Sequence, residues 1–201
     1  VADAAHAVGA RVVYISTDYV FDGSKPTPYN EDDVPNPQSA YGASKLAGEQ
    51  AMSEQDAIVR ISWVCGFHGA NMVKTILKLG ATMSELKFVD DQIGNPTFAD
   101  DAAKAIVNIA TSGLGGIWHV TNQGVVSWYE FVREVLLTAG MDAAKVKPIA
   151  TSDLQPPRPA KRPANSVLHN GRMIAEGMAI LPDFREPLAR LVRRLQTETG
   201  E

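Results

Sequence analysis

A tyrosine and a lysine four residues apart, Tyr41 and Lys45, are the residues of this chain whose types and spacing could do proton chemistry. In a helix, residues i and i+4 lie on one face, so the phenol and the ammonium would be side by side. A neighbouring cation favours the phenolate and makes the phenol a better proton donor. An ordinary amphipathic helix with a surface lysine gives the same spacing. The pair therefore indicates general-acid chemistry only if other elements place a reacting group beside it.

The segments around this pair predict a strand, a loop, a helix and a second strand. Residues 11–16 and 57–64 are short, apolar and β-branched, as strands buried on both faces of a parallel sheet are. Residues 19–36 contain one glycine and three prolines, too many breakers for regular structure, and Ser39 is a plausible N-cap for a helix over 41–52. This order predicts a βαβ crossover of a doubly wound parallel sheet, and hence an α/β fold.

Later segments predict elements that surround this unit. The apolar patterns predict helices over 71–79, 98–111 and 127–139, and strands over 86–89 and 117–120. We expect Ser127 to cap the third of these helices, and we interpret the aromatic residues of that helix as core.

Three small polar residues, Ser16, Thr17 and Asp18, lie where the first predicted strand ends. Open α/β sheets place their ligand sites at the carboxyl ends of strands, which favours a functional role. Thr17 and Asp18 could equally form a turn through local side-chain to backbone hydrogen bonds. Position and composition leave both interpretations open.

The composition is that of a globular protein with a buried core. The 201 residues, 45% hydrophobic and 21% charged, suit one domain or a compact domain with a lobe. A formal charge of −4 argues against nucleic acid as a partner, because binding phosphates usually needs a basic surface. No apolar run approaches the roughly 18 residues of a membrane span, and no signal-peptide pattern is present, so we expect a cytoplasmic protein without a membrane partner. The single cysteine, Cys65, is interpreted as a small buried hydrophobic residue.

Several ordered motifs resemble the extended short-chain dehydrogenase/reductase family, over nearly the whole chain. They are STDYVFDG at 16–23, YGASKLAGE at 41–49, RISWV at 60–64, DDQIGNPT at 90–97 and PRPAKRP at 157–163. The resemblance implies a Rossmann-like doubly wound parallel sheet and reduction of the C4 keto group of a dTDP-4-keto-6-deoxy sugar. It also implies NADPH as the cofactor, with NADH as the alternative, and allows a homodimer.

The resemblance also assigns roles to individual residues. Tyr41 would protonate the keto oxygen, Lys45 would hold the nicotinamide ribose, and Thr17 would hydrogen-bond the carbonyl, which makes these three the expected catalytic residues. The expected cofactor-binding residues are Ser16, Tyr41, Lys45 and Ser62. The expected substrate-binding residues are Thr17, Asp18, Trp63, Gln92, Thr97, Arg158 and Arg162.

Some of these substrate residues have a purely structural alternative. Trp63 could be ordinary core, Thr97 could cap the following helix, and the segment with Arg158 and Arg162 could be a solvated proline-rich loop. This segment is cationic in an acidic protein, and an Arg fork bonds two phosphate oxygens, so it suits a diphosphate. We favour a diphosphate site for the two arginines, because the Arg-Pro pattern of this segment is part of the resemblance to the family. No ligand cluster in the sequence supports a metal.

We expect two regions along the chain. Residues 1–63 and 92–122 should form the C-terminal part of a dinucleotide-binding domain. Residues 64–91 and 123–201 should form a smaller α/β lobe that binds the nucleotide sugar.

The chain departs from the family at one motif. Its 16 glycines include no Gly-x-x-Gly-x-x-Gly turn between a strand and a helix, the turn that binds the cofactor's phosphates. We therefore expect the N-terminal sheet strands to be missing, the chain to be truncated, and NADPH binding by this chain alone to be weak. The alternative function is a non-catalytic reductase-like binding or regulatory subunit, like that of methionine adenosyltransferase. The intact set of Thr17, Tyr41 and Lys45 favours the enzyme.

Overall fold

Helices and strands alternate along the chain. The computed structural model describes residues 1–198. The helices are α1 (Ala2–His6), α2 (Ala40–Gln50), α3 (Met72–Thr82), α4 (Ala99–Ser112), α5 (Trp128–Thr138), α6 (Gly171–Ala175) and α7 (Arg185–Glu198). The strands are β1 (Val13–Thr17), β2 (Ala57–Ile61), β3 (Val64–Cys65), β4 (Leu86–Val89), β5 (Ile93–Gly94), β6 (Thr97–Phe98), β7 (Gly116–His119), β8 (Val126–Ser127) and β9 (Val146–Ile149). Within residues 1–198, no helix is long and apolar enough to cross a membrane.

A three-stranded parallel sheet in the order β1-β2-β7 forms one part of the fold. β1 and β2 pair in register from Val13 opposite Ala57 to Thr17 opposite Ile61, and α2 crosses between them. The predicted βαβ crossover and parallel α/β sheet are thereby confirmed. Because both strands end at the same edge, the polar residues that follow each of them meet there.

The remaining strands form three two-stranded pairs. β3 pairs with β6 and β4 with β9 in parallel, whereas β5 and β8 are antiparallel. The larger hydrophobic cluster lies among α3, α5, α7 and β4, and a second cluster lies between the three-stranded sheet and α4. The division into two regions stays a prediction, and residues 199–201 of the predicted lobe lie outside the described residues.

Local signals placed most helix ends correctly. Ser39 caps α2 by accepting the Gly42 amide, and Ser127 forms a capping box with Glu130 at the start of α5. The predicted strand over 57–64 is broken, however, because it ends at Ile61 and pairing resumes only at Val64. Trp63 causes the break, since its φ of 45° is left-handed and cannot continue a strand.

Helix α2 packs very closely on the end of β1. A Cβ atom on Gly42 would lie 2.1 Å from the Tyr19 carbonyl oxygen, and one on Gly48 would lie 2.1 Å from the Tyr14 hydroxyl. Glycine at position 42 is therefore required for the helix to approach the turn after β1, because a backbone carbonyl cannot move aside as a side chain can. This contact places the first turn of α2 against residues 17–19.

A buried ion pair fastens the same helix to β2. Arg60 on β2 donates to both carboxylate oxygens of Glu49 on α2, at 2.9 and 2.7 Å, and both side chains are almost fully buried. The Ser16 hydroxyl on β1 donates to the same carboxylate. A single acidic side chain therefore connects α2 with β1 and β2.

Asp56, immediately before β2, holds the opposite end of this unit. It is fully buried and accepts hydrogen bonds from the Val12 amide, from the Ser53 amide and hydroxyl, and from His6. Burial would raise the pKa of Asp56, but these hydrogen bonds outweigh it and hold the pKa well below its ordinary value.

We expect Asp56→Asn to lower the free energy of unfolding at pH 7 by about 1–3 kcal/mol, because an amide nitrogen would face buried donors. A carboxylate with a lowered folded pKa stabilises the fold fully above its unfolded pKa of about 4, and that contribution decreases as the pH falls from there through the lower folded pKa. Urea unfolding between about pH 2 and pH 7 should therefore show a constant gap between the two proteins above about pH 5 and a narrowing gap below about pH 4. Asp3→Asn, at an exposed position of α1, is the control and should stay close to wild type. A gap between Asp56→Asn and wild type that is the same at every pH would contradict this.

Candidate active site

A cavity of about 400 Å³ opens at the carboxyl ends of β1 and β2, beside α2. Its lining brings together seven of the residues predicted for the site. They are Ser16, Thr17, Asp18, Tyr41, Lys45, Ser62 and Trp63. Residues separated by up to 47 positions in sequence therefore meet around one space.

Thr17 is fixed by its immediate neighbours. Its hydroxyl donates to Asp18 Oδ1 at 2.8 Å and accepts the Tyr19 amide at 3.2 Å. The local turn and the cavity position, which the sequence left as alternatives, are both present. The Thr17 hydroxyl can donate to a ligand only when its proton leaves Asp18.

Asp18 is a buried carboxylic acid at the floor of this site, with 2% of its surface exposed. Its Oδ2 has no hydrogen-bond partner among residues 1–198, and the nearby Ser166 hydroxyl donates instead to the Ile93 carbonyl. Burial raises the pKa of Asp18 to about 6, although the Thr17 and Ser166 hydroxyls act in the opposite direction. Asp18 therefore offers an unsatisfied polar oxygen to whatever binds there.

Tyr41 stands at the mouth of the cavity, on the first turn of α2. Its side chain is 55% exposed, and its ring meets the Tyr19 ring edge to face with centroids 6.0 Å apart. Tyr19 also lines the cavity. The exposed phenol can exchange its proton with solvent, while Tyr19 limits where the ring can move.

Lys45 lies one helical turn further along and also lines the cavity. Its ammonium lies 4.3 Å from the centroid of the Tyr14 ring, a cation–π contact. This contact orients the Lys45 ammonium towards Tyr14 on β1 and uses none of the hydrogen-bond donors of that ammonium. Those donors remain suited to hydroxyl groups of a ligand.

The two serines of the site have hydroxyls that are already used. Ser16 donates to Glu49, and Ser62 donates to the Asn95 carbonyl at 2.6 Å. Both residues are buried and border the cavity. Their predicted cofactor contacts stay predictions, and the side-chain donors act within the protein.

Trp63 forms the opposite wall of the cavity with a strained backbone. It combines a φ of 45° with a bulky side chain, a conformation that costs on the order of 1–3 kcal/mol. Its ring stacks on Trp128 at 3.8 Å between centroids and 11° between planes. Trp128 is a buried residue of the larger hydrophobic cluster, as predicted, and it also lines the cavity.

Four predicted substrate residues do not line this cavity. Gln92 is buried and donates to the Thr151 hydroxyl at 2.8 Å, and Thr97 is fully buried with an unpartnered hydroxyl. Thr97 does not cap α4, because that helix begins after Phe98 without a side-chain cap. Their contacts with substrate stay predictions.

Arg158 and Arg162 do not line the cavity, but their charges act on Tyr19, which does. Burial and the charge of Asp18 raise the pKa of Tyr19, and the charges of Arg162 and Arg158 partly offset that rise. Burial and the charge of Arg162 lower the pKa of Arg158.

Sequence reasoning missed Tyr19 and Trp128 as cavity residues. Tyr19 follows Thr17 and Asp18 directly, so its place in that motif was an available signal. Trp128 had no such signal, because its position after the Ser127 cap is also that of a core residue. Cys65 is buried as predicted, and burial raises the pKa of its thiol to about 12. The described residues contain no group of three His, Cys, Asp or Glu side chains that could hold a metal ion.

A parallel βαβ unit, a hydroxyl at the first strand end, and a Tyr-x-x-x-Lys helix facing it define the short-chain dehydrogenase/reductase class. The order of these elements along the chain and their meeting at one cavity agree with that class. More narrowly, the chain belongs to the family described as the RmlD substrate binding domain, whose model matches residues 1–197.

Individual relatives agree with this family. The dTDP-4-dehydrorhamnose reductase of Sinorhizobium fredii is 40% identical over 98% of this chain and 70% of its own length. A dTDP-4-dehydrorhamnose reductase structure from Clostridium acetobutylicum is 43% identical with a TM-score of 0.92, over 97% of this chain and 69% of that one. The Bacillus anthracis reductase, solved in complex with NADP, is 39% identical with a TM-score of 0.90, over 96% and 69%. The chain spans between 62% and 71% of the length of the curated relatives it matches.

We expect Asp18→Asn to raise the free energy of unfolding by about 2 kcal/mol at pH 8, because the buried charge is removed. A folded pKa raised to about 6 means that Asp18 favours the fold below its unfolded pKa of about 4 and loses that contribution as the pH rises through 6. Denaturant unfolding of both proteins should show the gap closing towards pH 4. An equal gap at pH 4 and pH 8 would contradict the assignment of Asp18 as a buried acid.

Proposed function

We propose that the protein reduces the C4 keto group of a dTDP-4-keto-6-deoxy sugar with NADPH, converting dTDP-4-dehydrorhamnose to dTDP-L-rhamnose. The observation that carries this proposal is that Thr17, Tyr41 and Lys45 line one cavity. The relatives from Sinorhizobium fredii and Clostridium acetobutylicum, at 40% and 43% identity, are named dTDP-4-dehydrorhamnose reductase, which supports the choice of substrate.

Tyr41 acts as the general acid. Reduction of a ketone adds a hydride to the carbon and a proton to the oxygen, and the Tyr41 phenol supplies the proton. Lys45, one turn away, stabilises the phenolate that remains. Because Tyr41 is 55% exposed, solvent can return the proton after each turnover.

Thr17 and Asp18 bind the reacting end of the sugar. Asp18 Oδ2 is buried and has no hydrogen-bond partner within residues 1–198, so a sugar hydroxyl that donates to it would satisfy a buried acceptor. For the Thr17 hydroxyl to donate to the carbonyl oxygen of the sugar, its proton must turn away from Asp18 Oδ1. A hydrogen bond at that oxygen strengthens as negative charge develops on it.

The cavity fits the nicotinamide end of the cofactor. The Lys45 ammonium contacts the Tyr14 ring and would donate hydrogen bonds to the ribose hydroxyls of the cofactor. Ser16 and Ser62 also line the cavity and would lie against the cofactor. NADPH supplies the hydride when it is bound. The cofactor's phosphates would need another site, because the chain's sequence has no glycine-rich turn between a strand and a helix.

Arg158 and Arg162 bind the diphosphate of the nucleotide sugar. Their charges act on Tyr19, which lines the cavity beside Tyr41, so the cationic segment lies next to the site that takes the sugar. Guanidinium forks bond phosphate oxygens in pairs, and the residues between 153 and 176 include no acid to neutralise them. A sugar at Tyr41 and a diphosphate at these arginines would be consecutive parts of one ligand.

We expect Tyr41→Phe to lower the rate of keto-sugar reduction by the full natural protein at least about a hundredfold, because the proton donor is lost. Initial rates with saturating NADPH measure this, and circular dichroism checks that the fold is unchanged. Tyr129→Phe is the matched control, because it removes a hydroxyl that accepts a hydrogen bond from Arg133 on α5 and does not line the cavity. Near-normal turnover of Tyr41→Phe would contradict the proposed function.

A further inference from the structure

The strained tryptophan at the end of β2 needs a physical explanation. Trp63 is the single non-glycine residue with a positive φ within residues 1–198, and a bulky side chain rarely occupies that region. Such a conformation persists only when the surrounding structure determines it. The contacts around Trp63 therefore identify what holds it.

Contacts hold Trp63 from more than one side. The Trp128 ring lies flat against its ring, at 3.8 Å and 11°. Gly94 lies so close that a Cβ there would be 2.8 Å from the indole. The Trp63 carbonyl accepts the Thr97 amide at 3.2 Å and the Cys65 thiol at 3.4 Å.

Of the residues that make these contacts with Trp63, Trp128 is the one that also lines the cavity. Both indoles line it, together with Thr17 and Tyr41, whereas Phe131, which meets both rings edge on, does not. Trp128 belongs to α5, an element remote in sequence from β2. Its ring can therefore set the orientation of Trp63 relative to the catalytic residues without touching them.

We propose that Trp128 is a positioning residue, whose stack holds Trp63 in its left-handed conformation as the wall against which the sugar of the ligand binds. The identity of that ligand rests on the proposed function. The sugar, and not the nucleotide, is assigned to this wall because Trp63 shares the cavity with Thr17 and Tyr41, where the keto group would react. The apolar face of a sugar ring suits an indole surface.

The first measurement is a crystal structure of the Trp128→Leu variant of this chain. With the stack removed, we expect Trp63 to adopt a negative φ and its ring to leave the contact with Gly94. A Trp63 φ that stays near 45° would overturn the positioning role of Trp128. This outcome does not depend on any activity or ligand.

The second measurement is calorimetric binding of two probes, dTDP-L-rhamnose and dTDP. In Trp128→Leu we expect the affinity for dTDP-L-rhamnose to fall at least about tenfold while that for dTDP changes little, because only the first probe has a sugar to contact the wall. Equal weakening of both probes, or of neither, would overturn the sugar assignment. Absence of binding of either probe to the wild type would instead count against the proposed ligand, and the crystal structure would still decide the positioning role.

Two further variants separate positioning from general stability. Trp128→Phe keeps a flat ring and should retain most of the affinity and the positive φ of Trp63. Phe184→Leu removes a fully buried ring of the same hydrophobic cluster that contacts Phe131 and does not line the cavity. It should lower the melting temperature and leave the ratio of the two affinities unchanged. If Phe184→Leu changed that ratio as much as Trp128→Leu does, the effect would be one of stability and the proposal would be wrong.

Discussion

The buried pair of Arg60 and Glu49 is the interaction on which the rest of the site depends. Glu49 lies about two helical turns after Tyr41 on α2, and Arg60 lies on β2, two residues before Ser62, which borders the cavity. With Ser16 bonded to the same carboxylate, one group sets the position of α2 relative to both strands. Removing one partner of such a pair leaves an uncompensated buried charge and typically costs about 3–5 kcal/mol. Together with the close approach at Gly42, this pair determines where Tyr41 and Lys45 lie relative to Thr17.

The site itself contains features that do not favour the fold. Asp18 is buried with one oxygen that has no hydrogen-bond partner in the described part of the chain, Trp63 has a strained backbone, and Tyr41 exposes more than half of its surface. Each of these is unfavourable locally and useful for binding or proton transfer, as is common at functional sites. Asp56 forms its hydrogen bonds at the opposite end of β2 from the cavity, and the pair of Arg60 and Glu49 is buried between β2 and α2. Both stabilise the scaffold without lining the cavity.

Local sequence signals predicted the helices and strands of the scaffold well, because each of these elements is determined by residues close together in the sequence. The strand, helix and strand around Tyr41 follow from apolar runs and from the Ser39 cap, and the proposed catalytic residues follow from the motifs that contain them. The contacts that fix the geometry are long-range and have no periodic signature. Neither the Arg60 and Glu49 pair nor the stack of Trp63 on Trp128 could be derived from spacing, and the positive φ of Trp63 broke a strand that its β-branched neighbours predicted.

A crystal structure with bound dTDP-L-rhamnose would show whether Thr17 and Tyr41 act together on the C4 oxygen of a nucleotide sugar. We expect this oxygen to lie within about 2.5–3.2 Å of both the Tyr41 hydroxyl and the Thr17 hydroxyl. We also expect a sugar hydroxyl at Asp18 Oδ2. A sugar bound elsewhere, or bound with its C4 oxygen directed away from Tyr41, would rule out this joint role.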